Sequence, residues 1–504
     1  MDAALPTIRA LAIAGDRVAG GVGTHETALP TPDRVDLAGR CVLPGFTDSH
    51  VHFPTWALAQ RQVRLEGCSS LDDAVARVRE AVAAIGAEHW LIGYGWRSGD
   101  WSPEIEPTRH DLDPVTGDIP VALWAKDDHS LWLNSAALAR ANGDLAVPGG
   151  VVELDEESVP TGLLREQAAW RFRERHITVS EGEYVDAVRE GIGIANARGV
   201  TAVHDKDGWL GAVTIWQRLH ERGGLTLRVW QSVPHEQIAE LERLGFRSGI
   251  GDDYLRIGYV KAFMDGSLGS GTAWMRDGSG VCITSGKELA EIIRRAAAAG
   301  WPVAVHAIGD RANREALDAF EATRKEWLAL PCPPRIEHAQ CVEPAELGRF
   351  ASVGVACSVQ FSHAPSDRDL AERLWGPERV DGAYAFRSLW DAGALVANGS
   401  DAPIEDLDPL LGLRAGVLRT LDERPAWRPE QALTVDQALL ASTVNPARLC
   451  GDDRRRGKLL PGYLADLVVL DRDPVVRPPE ELLDLRVVAT MVGGRWVHSP
   501  PPWD

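Results

Sequence analysis

Cysteine is scarce in these 504 residues: there are seven, an odd number, and none stand in CxxC spacing. That excludes a disulfide-stapled scaffold and points to a reducing compartment, with the cytoplasm as the expected location. No run of Lys or Arg is long enough to form a basic stripe and the net charge is -20, which opposes binding to nucleic acid or an anionic membrane surface. Long apolar runs are also missing. No segment reaches the roughly 18 to 20 residues of a membrane span, and the start of the chain, MDAALPTIRALAIAG, has Asp2 where a secretory signal would carry basic residues. Phenylalanine is thin, nine against eighteen tryptophans, so some indoles are expected to line a pocket. The partners expected are a small-molecule substrate and, at most, a second copy of the chain in a homodimer.

What remains is a chain with 45% hydrophobic residues, long enough for a large core. A barrel of roughly 250 residues would leave about half of it for other units. Eight short apolar runs end in polar or glycine-rich segments: VLPGFTDSHVHF, TAVHDKDG, LTLRVWQSV, LRIGYVKAFMDG, WPVAVHAIGD, RIEHAQ, GVACSVQFSHA and LVANGSDAP. Helical patterns intervene, such as ELAEIIRRAAAAG (288–300) and REALDAFEATRKEWLAL (314–330). Strand and helix alternate, which predicts an α/β fold, a parallel (β/α)8 TIM-type barrel.

The gap between the first two runs is too long for one crossover, so residues 60–190 are expected to form an inserted subdomain. Both chain ends read as short β segments: IRALAIAG, VDLAG and CVLPG at the start, KLLPGYLADLVVLD and VVATMVGGRWVH at the finish. Neither end can bury a core alone, so the two are expected to pair in one small β-sandwich. The organisation expected is 1–43 and 451–504 for the sandwich, 44–59 for barrel strand 1, 60–190 for the insert, and 191–450 for the rest of the barrel.

His50 and His52, two apart at a strand end, face the same side of the pleat and can grip one cation. The equivalent position of other strands carries Lys261, His306, His338 and Asp401. Six ligand-type residues thus converge on the barrel rim where enzymes of this fold place their chemistry. His204, His363, Asp205 and Asp207 also fall near strand ends and are read first as structural. The SLGSG segment lacks GxGxxG spacing and a phosphate-loop lysine, so it reads as a flexible loop by the rim.

GFTDSHVHF, VKAFMDGSLGSG, VHAIGD, IEHAQ and NGSDAP, in this order, resemble the YtcJ-like branch of the amidohydrolase superfamily, the group containing N-substituted formamide deformylases. PTRHDLD and HSLWLNSAAL in the insert and GKLLPGYLADLVVLD near the end extend the resemblance over almost the whole chain. It implies one divalent metal held by His50, His52 and Asp401, and a second held by His306 and His338; the ligand types make zinc the first choice, though such sites also accept Mn, Fe, Ni and Co. Lys261 would bridge them as an N-carboxylated lysine; without that modification a single ion on His50, His52, His306 and Asp401 is the fallback.

Such a site activates water and polarises a carbonyl, with Asp401 as the catalytic proton carrier. The function expected is hydrolysis of a non-peptide C–N bond in an amide, N-formyl or N-acyl compound. A decarboxylase or hydratase on the same barrel is the alternative, and a noncatalytic binding protein the third. A carboxylate substrate would call for a basic group in the pocket, for which Arg97 or Arg276 could serve. Substrate contacts are expected from His129, Asn134, Trp96 and Arg276, with the insert and its indoles Trp90, Trp96, Trp101, Trp124 and Trp132 roofing the barrel mouth.

Overall fold

A computed structural model of the chain describes residues 7–23, 33–83, 90–141, 143–177, 179–208 and 211–501. All eight apolar runs are strands: β1 (Phe46–Val51), β2 (Val200–Asp205), β3 (Arg228–Pro234), β4 (Leu255–Phe263), β5 (Val303–Ala307), β6 (Arg335–His338), β7 (Ala356–Val359) and β8 (Val396–Asn398). Each pairs in parallel with the next in sequence order. Most of their residues are buried, as strands covered by helices on one side and barrel interior on the other must be.

Closure depends on glycine. β8 returns to β1 through Gly399, where a Cβ would stand 2.4 Å from the His50 nitrogen. With none there, Asp401 N–H donates to His50 O at 2.7 Å and Ser400 N–H to Asp48 Oδ1 at 3.0 Å.

The crossover helices begin at side-chain caps. Ser285 and Glu288 form a capping box at the start of the helix Gly286–Ala298, and Ser180 and Glu183 do the same for Glu181–Ala197. The latter packs on the helix Phe53–Ala59 that directly follows β1, with Gly191 allowing Ala57 and Trp56 to approach, and so belongs to the barrel layer. Between these two helices stands the insert, built on a six-stranded mixed sheet running from Val63–Arg64 through Pro160–Glu166. VALWAKDDHSLWL is an antiparallel hairpin in it, and LDDAVARVREAVAAIG is a helix over Leu71–Val82, its last residues lying outside the described ones.

The two chain ends meet as expected. Cys41–Pro44 pairs antiparallel with Leu467–Leu470, which continues to Val487–Val492 and Arg495–His498. The hairpin of Ala10–Ala14 and Arg17–Gly23 joins it through Val18, whose N–H reaches Tyr463 O at 2.9 Å. Val18, Leu459, Leu467, Val469, Ala489 and Met491 form their shared core. VDLAG is not a strand. Among the described residues no helix is long and apolar enough to cross a membrane.

Candidate metal centre

Strand ends bring His50, His52, Lys261, His306, His338 and Asp401 to the wall of one cavity of about 440 Å³ at the C-terminal mouth of the barrel. Their imidazoles form a chain, with ring centroids 5.6 Å apart for His50 and His52, 4.7 Å for His50 and His338, and 4.5 Å for His306 and His338. Asp401, held at φ 60°, lies within this chain: Oδ1 is 3.1 Å from His50 Nε2 and 3.5 Å from His52 Nε2, while Oδ2 is 3.7 Å from His338 Nδ1. His50, His52 and Asp401 offer ligand atoms within 4.8 Å of one another, the spread that a single cation spans.

The donor set fits a cation on a second count. His50 Nε2, Asp401 Oδ1 and Lys261 Nζ are buried without a hydrogen-bond partner among the described residues. Buried polar atoms are otherwise nearly always bonded, so atoms left over in one cluster call for something between them. Burial, with His338 and Lys261 beside it, holds His306 well below its ordinary value; burial likewise keeps His338 well below, so both imidazoles offer neutral lone pairs. Burial alone would raise the Asp401 carboxyl, but His50 and His338 override it and hold it well below the ordinary carboxylate range.

Lys261 is fully buried, with Nζ 4.7 Å above the centroid of the Phe263 ring, and burial lowers its pKa to about 8. It does not pair with Asp265, whose carboxylate instead accepts the backbone N–H groups of Trp274, Ile308 and Gly309 at 2.9, 3.0 and 2.8 Å. His363 belongs to the cluster as well, with Nε2 3.9 Å from Asp401 Oδ2. Its Nδ1 lies 3.0 Å from the Gln340 amide nitrogen, which can only donate. In the neutral ring the proton then sits on Nε2, so His363 presents an N–H to the cavity and suits a substrate oxygen better than a cation.

The residues behind the cluster escaped the sequence reading. Glu337 Oε2 lies 2.7 Å from His50 Nδ1, while Oε1 faces Arg335 Nε at 2.8 Å and Lys206 Nζ at 3.2 Å, all fully buried. Asp207, read as structural, lies 2.8 Å from His52 Nδ1, and Gln360 Oε1 backs His338 Nδ1 at the same distance. A signal existed for Glu337: RIEH carries two charges at alternate positions of a strand buried on both faces.

The insert contributes differently from expectation. His129 does face the cavity, its ring 5.5 Å from that of His306, and Glu166 Oε2 fixes its Nδ1 at 2.7 Å. Burial works against its charged form, but Glu166 outweighs that and pushes the pKa up to about 9.

Asn134 is not at the cavity. It caps the helix Ser135–Arg140, and its amide bonds Val121 N, Ala137 N, Thr116 Oγ1 and Ile119 O within the insert, leaving no capacity over. Trp96 turns into the insert core against Trp101 and Trp132, its Nε1 donating to Leu123 O at 2.8 Å. Trp124 packs in the neighbouring insert core. Arg276 is on the surface, paired with Glu343. Among the described residues the indole that lines the cavity is Trp170, its ring tilted against that of Phe263 with centroids 5.4 Å apart. Arg97 also lines it, but Asp367 occupies its guanidinium at 3.0 Å.

Comparison with known proteins agrees with this geometry. A sequence model of the amidohydrolase family matches residues 33–498. The amidohydrolase-family protein YtcJ of Bacillus subtilis (strain 168) is 32% identical, over 96% of this chain and 95% of its own. The N-substituted formamide deformylase of Arthrobacter pascens is 28% identical, over 98% and 95%. The crystal structure of an uncharacterized metal-dependent hydrolase from Pyrococcus horikoshii OT3 superposes with a TM-score of 0.76 at 30% identity, covering 93% of this chain and 95% of that one.

Proposed function

Because the chain belongs to the amidohydrolase family, we propose that it is a metal-dependent hydrolase cleaving a non-peptide carbon–nitrogen bond in an amide, N-formyl or N-acyl compound. The observation that carries this reading is the meeting, at one barrel rim, of His50 Nε2, Asp401 Oδ1, Lys261 Nζ and His363 Nε2, all buried and all without hydrogen-bond partners among the described residues. His50, His52 and Asp401 would hold one divalent ion, and His306 and His338 a second. Zn²⁺ is the first choice for imidazole and carboxylate donors. Such an ion supplies Lewis acidity toward a carbonyl oxygen and makes water acidic enough to yield hydroxide near neutral pH.

The protein's own groups do the rest. With Oδ1 turned to the His50 and His52 nitrogens, Asp401 accepts a proton at Oδ2 and returns it to the leaving nitrogen, general base and then general acid. His363 Nε2–H donates to the carbonyl oxygen as negative charge develops on it. His129, braced by Glu166, closes the cavity from the insert side, and Trp170 with Phe263 forms an apolar wall for the acyl or amine substituent. Lys261 would join the ligand set by attack of its neutral amine on carbon dioxide: the new N–C bond forms, a proton leaves, and a carbamate with two oxygens results. Its burial and lack of a partner favour that neutral amine.

The charge balance of the cavity supports a neutral amide over a carboxylic acid. Its guanidinium groups are matched, Arg97 with Asp367 at 3.0 Å, Arg173 with Asp128 at 3.6 Å and Arg171 with Glu174 at 3.9 Å. All seven cysteines are free, as suits work in the reducing cytoplasm. The test is elemental analysis of purified protein together with a hydrolysis screen over N-formyl and N-acyl amines of graded size. Stoichiometric metal and turnover that is lost on chelation and restored by Zn²⁺ are expected; turnover unaffected by chelation would refute the reading.

A further inference from the structure

The imidazoles at the rim differ in what stands behind them. His50 Nδ1 lies 2.7 Å from a Glu337 oxygen and His52 Nδ1 2.8 Å from an Asp207 oxygen. A carboxylate only accepts, so each Nδ1 carries the proton and each Nε2 presents a lone pair. Both carboxylates are themselves anchored. Glu337 is gripped by Arg335 and Lys206, with no exposed side-chain surface on any of the three, and Asp207 Oδ2 accepts Thr55 N–H at 2.8 Å.

On the other side of the cluster the hydrogen-bonded backing is neutral, the nearest carboxylate oxygen to His306 Nε2 being that of Asp265 at 3.7 Å, beyond hydrogen-bond reach and bonded to backbone N–H groups. His338 Nδ1 meets the amide oxygen of Gln360 at 2.8 Å, and His306 Nε2 meets the Gly266 carbonyl at 3.0 Å, which leaves only Nδ1 of His306 for an ion. A carboxylate behind an imidazole draws on its N–H and makes the far nitrogen a stronger donor, while an amide or peptide carbonyl does so less. Asp401 is also nearer to one half, at 3.1 and 3.5 Å from the His50 and His52 nitrogens against 3.7 Å from His338 Nδ1.

We propose that Glu337 and Asp207 are positioning residues that make His50, His52 and Asp401 the tight metal subsite, leaving the His306 and His338 side to hold its ion more weakly. This rests on the metal-dependent reading above and adds to it an order of filling, with the residues that set that order. Neither positioning residue touches substrate; each acts through the histidine it backs.

The experiment needs no substrate. Metal-free protein is titrated with Zn²⁺ in competition with a chromophoric chelator, for the wild type and for the variants Glu337→Gln and Asp207→Asn. The wild type is expected to bind one ion tightly and a second in a weaker step, or in a step beyond the range of the titration. Each variant should weaken the tight step about 10- to 100-fold and leave the weaker one in place. Thermal midpoints of the metal-free proteins separate this from general damage. Glu337→Gln strips Arg335 and Lys206 of their counter-ion and could unfold, in which case Asp207→Asn decides, since an amide oxygen there can still accept from Thr55. Two equal steps in the wild type would overturn the proposal, as would a folded Asp207→Asn protein with an unchanged tight step, or equal weakening of both steps. A wild type that binds no Zn²⁺ at all would instead remove the metal-dependent reading, and this inference with it.

Discussion

The two ends of the barrel strands both bury charge, and they treat it in opposite ways. At the lower end Arg228, at the start of β3, grips Asp466 of the sandwich through two bonds of 2.7 and 2.8 Å. Asp466 also accepts Gly493 N–H at 2.9 Å, and the remaining Arg228 nitrogen reaches Asp253 O at 2.8 Å. At the upper end His50, Lys261, Asp401 and His363 each keep a polar atom without a partner. The lower cluster is complete without any other molecule, and the upper one is not. Unused bonding capacity therefore separates a site from a joint more sharply than burial or charge does, since both clusters score alike on those.

The contrast can be broken most directly at Asp401. Asp401→Asn should lower kcat/KM on the best substrate of the amide screen by roughly a thousandfold or more, about 4 kcal/mol of transition-state stabilisation. The thermal midpoint of its metal-free form should not fall, because no protein group loses a needed partner. Activity within tenfold of wild type would show that Asp401 carries no proton.

The reverse is expected at the lower end. Asp466→Asn leaves Arg228 buried against a neutral amide and should cost about 3 kcal/mol or more of stability while Zn²⁺ affinity stays put. Acid gives a second view of this pair. Burial alone would raise the Asp466 carboxyl, but Arg228 beside it prevails and holds it below its ordinary value. A carboxyl depressed in the folded state contributes stability that is present above its unfolded value, about 4, and is lost as the pH falls through the folded one. The wild type should therefore lose stability more steeply than Asp466→Asn below about pH 4, measured by denaturant unfolding. Parallel curves would mean the pair is not what acid breaks.

The smallest effect sharpens the comparison within the insert. Trp170→Ala should shift the kcat/KM ratio between bulky and small substrates by about tenfold, roughly 1.4 kcal/mol. Trp132→Ala should lower stability and leave that ratio alone, because Trp132 is sealed among Trp96, Trp101 and Leu163 with its Nε1 bonded to Thr108 O at 2.8 Å. An unchanged ratio in the Trp170 variant would detach the insert from specificity.

How much of this was legible in the sequence follows the same divide. Barrel strands are read easily because an apolar run must end where the strand leaves the core, and the first polar residue after it stands on the rim. That position, read beside the His50 and His52 pair, singled out Lys261, His306, His338 and Asp401, and all six line one cavity. The same reading had no purchase on the insert, where Asn134 shares the HSLWLNSAAL motif with His129 yet turns the other way, as the indole of Trp96 also does. In a mixed sheet with a core on each face, a side chain's direction is set by neighbours that are distant in sequence: Leu123 for Trp96, Thr116 and Ile119 for Asn134. The supporting residues were hidden for another reason. Glu337 and Gln360 gain meaning only from the histidines they face, and those pairings arise from strand register rather than from local pattern.

The join between β8 and β1 gives the site a place in time as well as in space. Asp401 reaches His50 only because Gly399 lets the last strand slide against the first, and that contact closes nearly the whole barrel into one loop. Contacts this remote in sequence are slow to form and come late in folding. A ribosome making this chain releases His50 and His52 long before Asp401 exists, so a partly built barrel carries two histidines with no carboxylate between them. On the proposed reading, catalytic competence waits on completion of the fold, because the contact that seals the barrel is also the one that brings Asp401 to the two histidines.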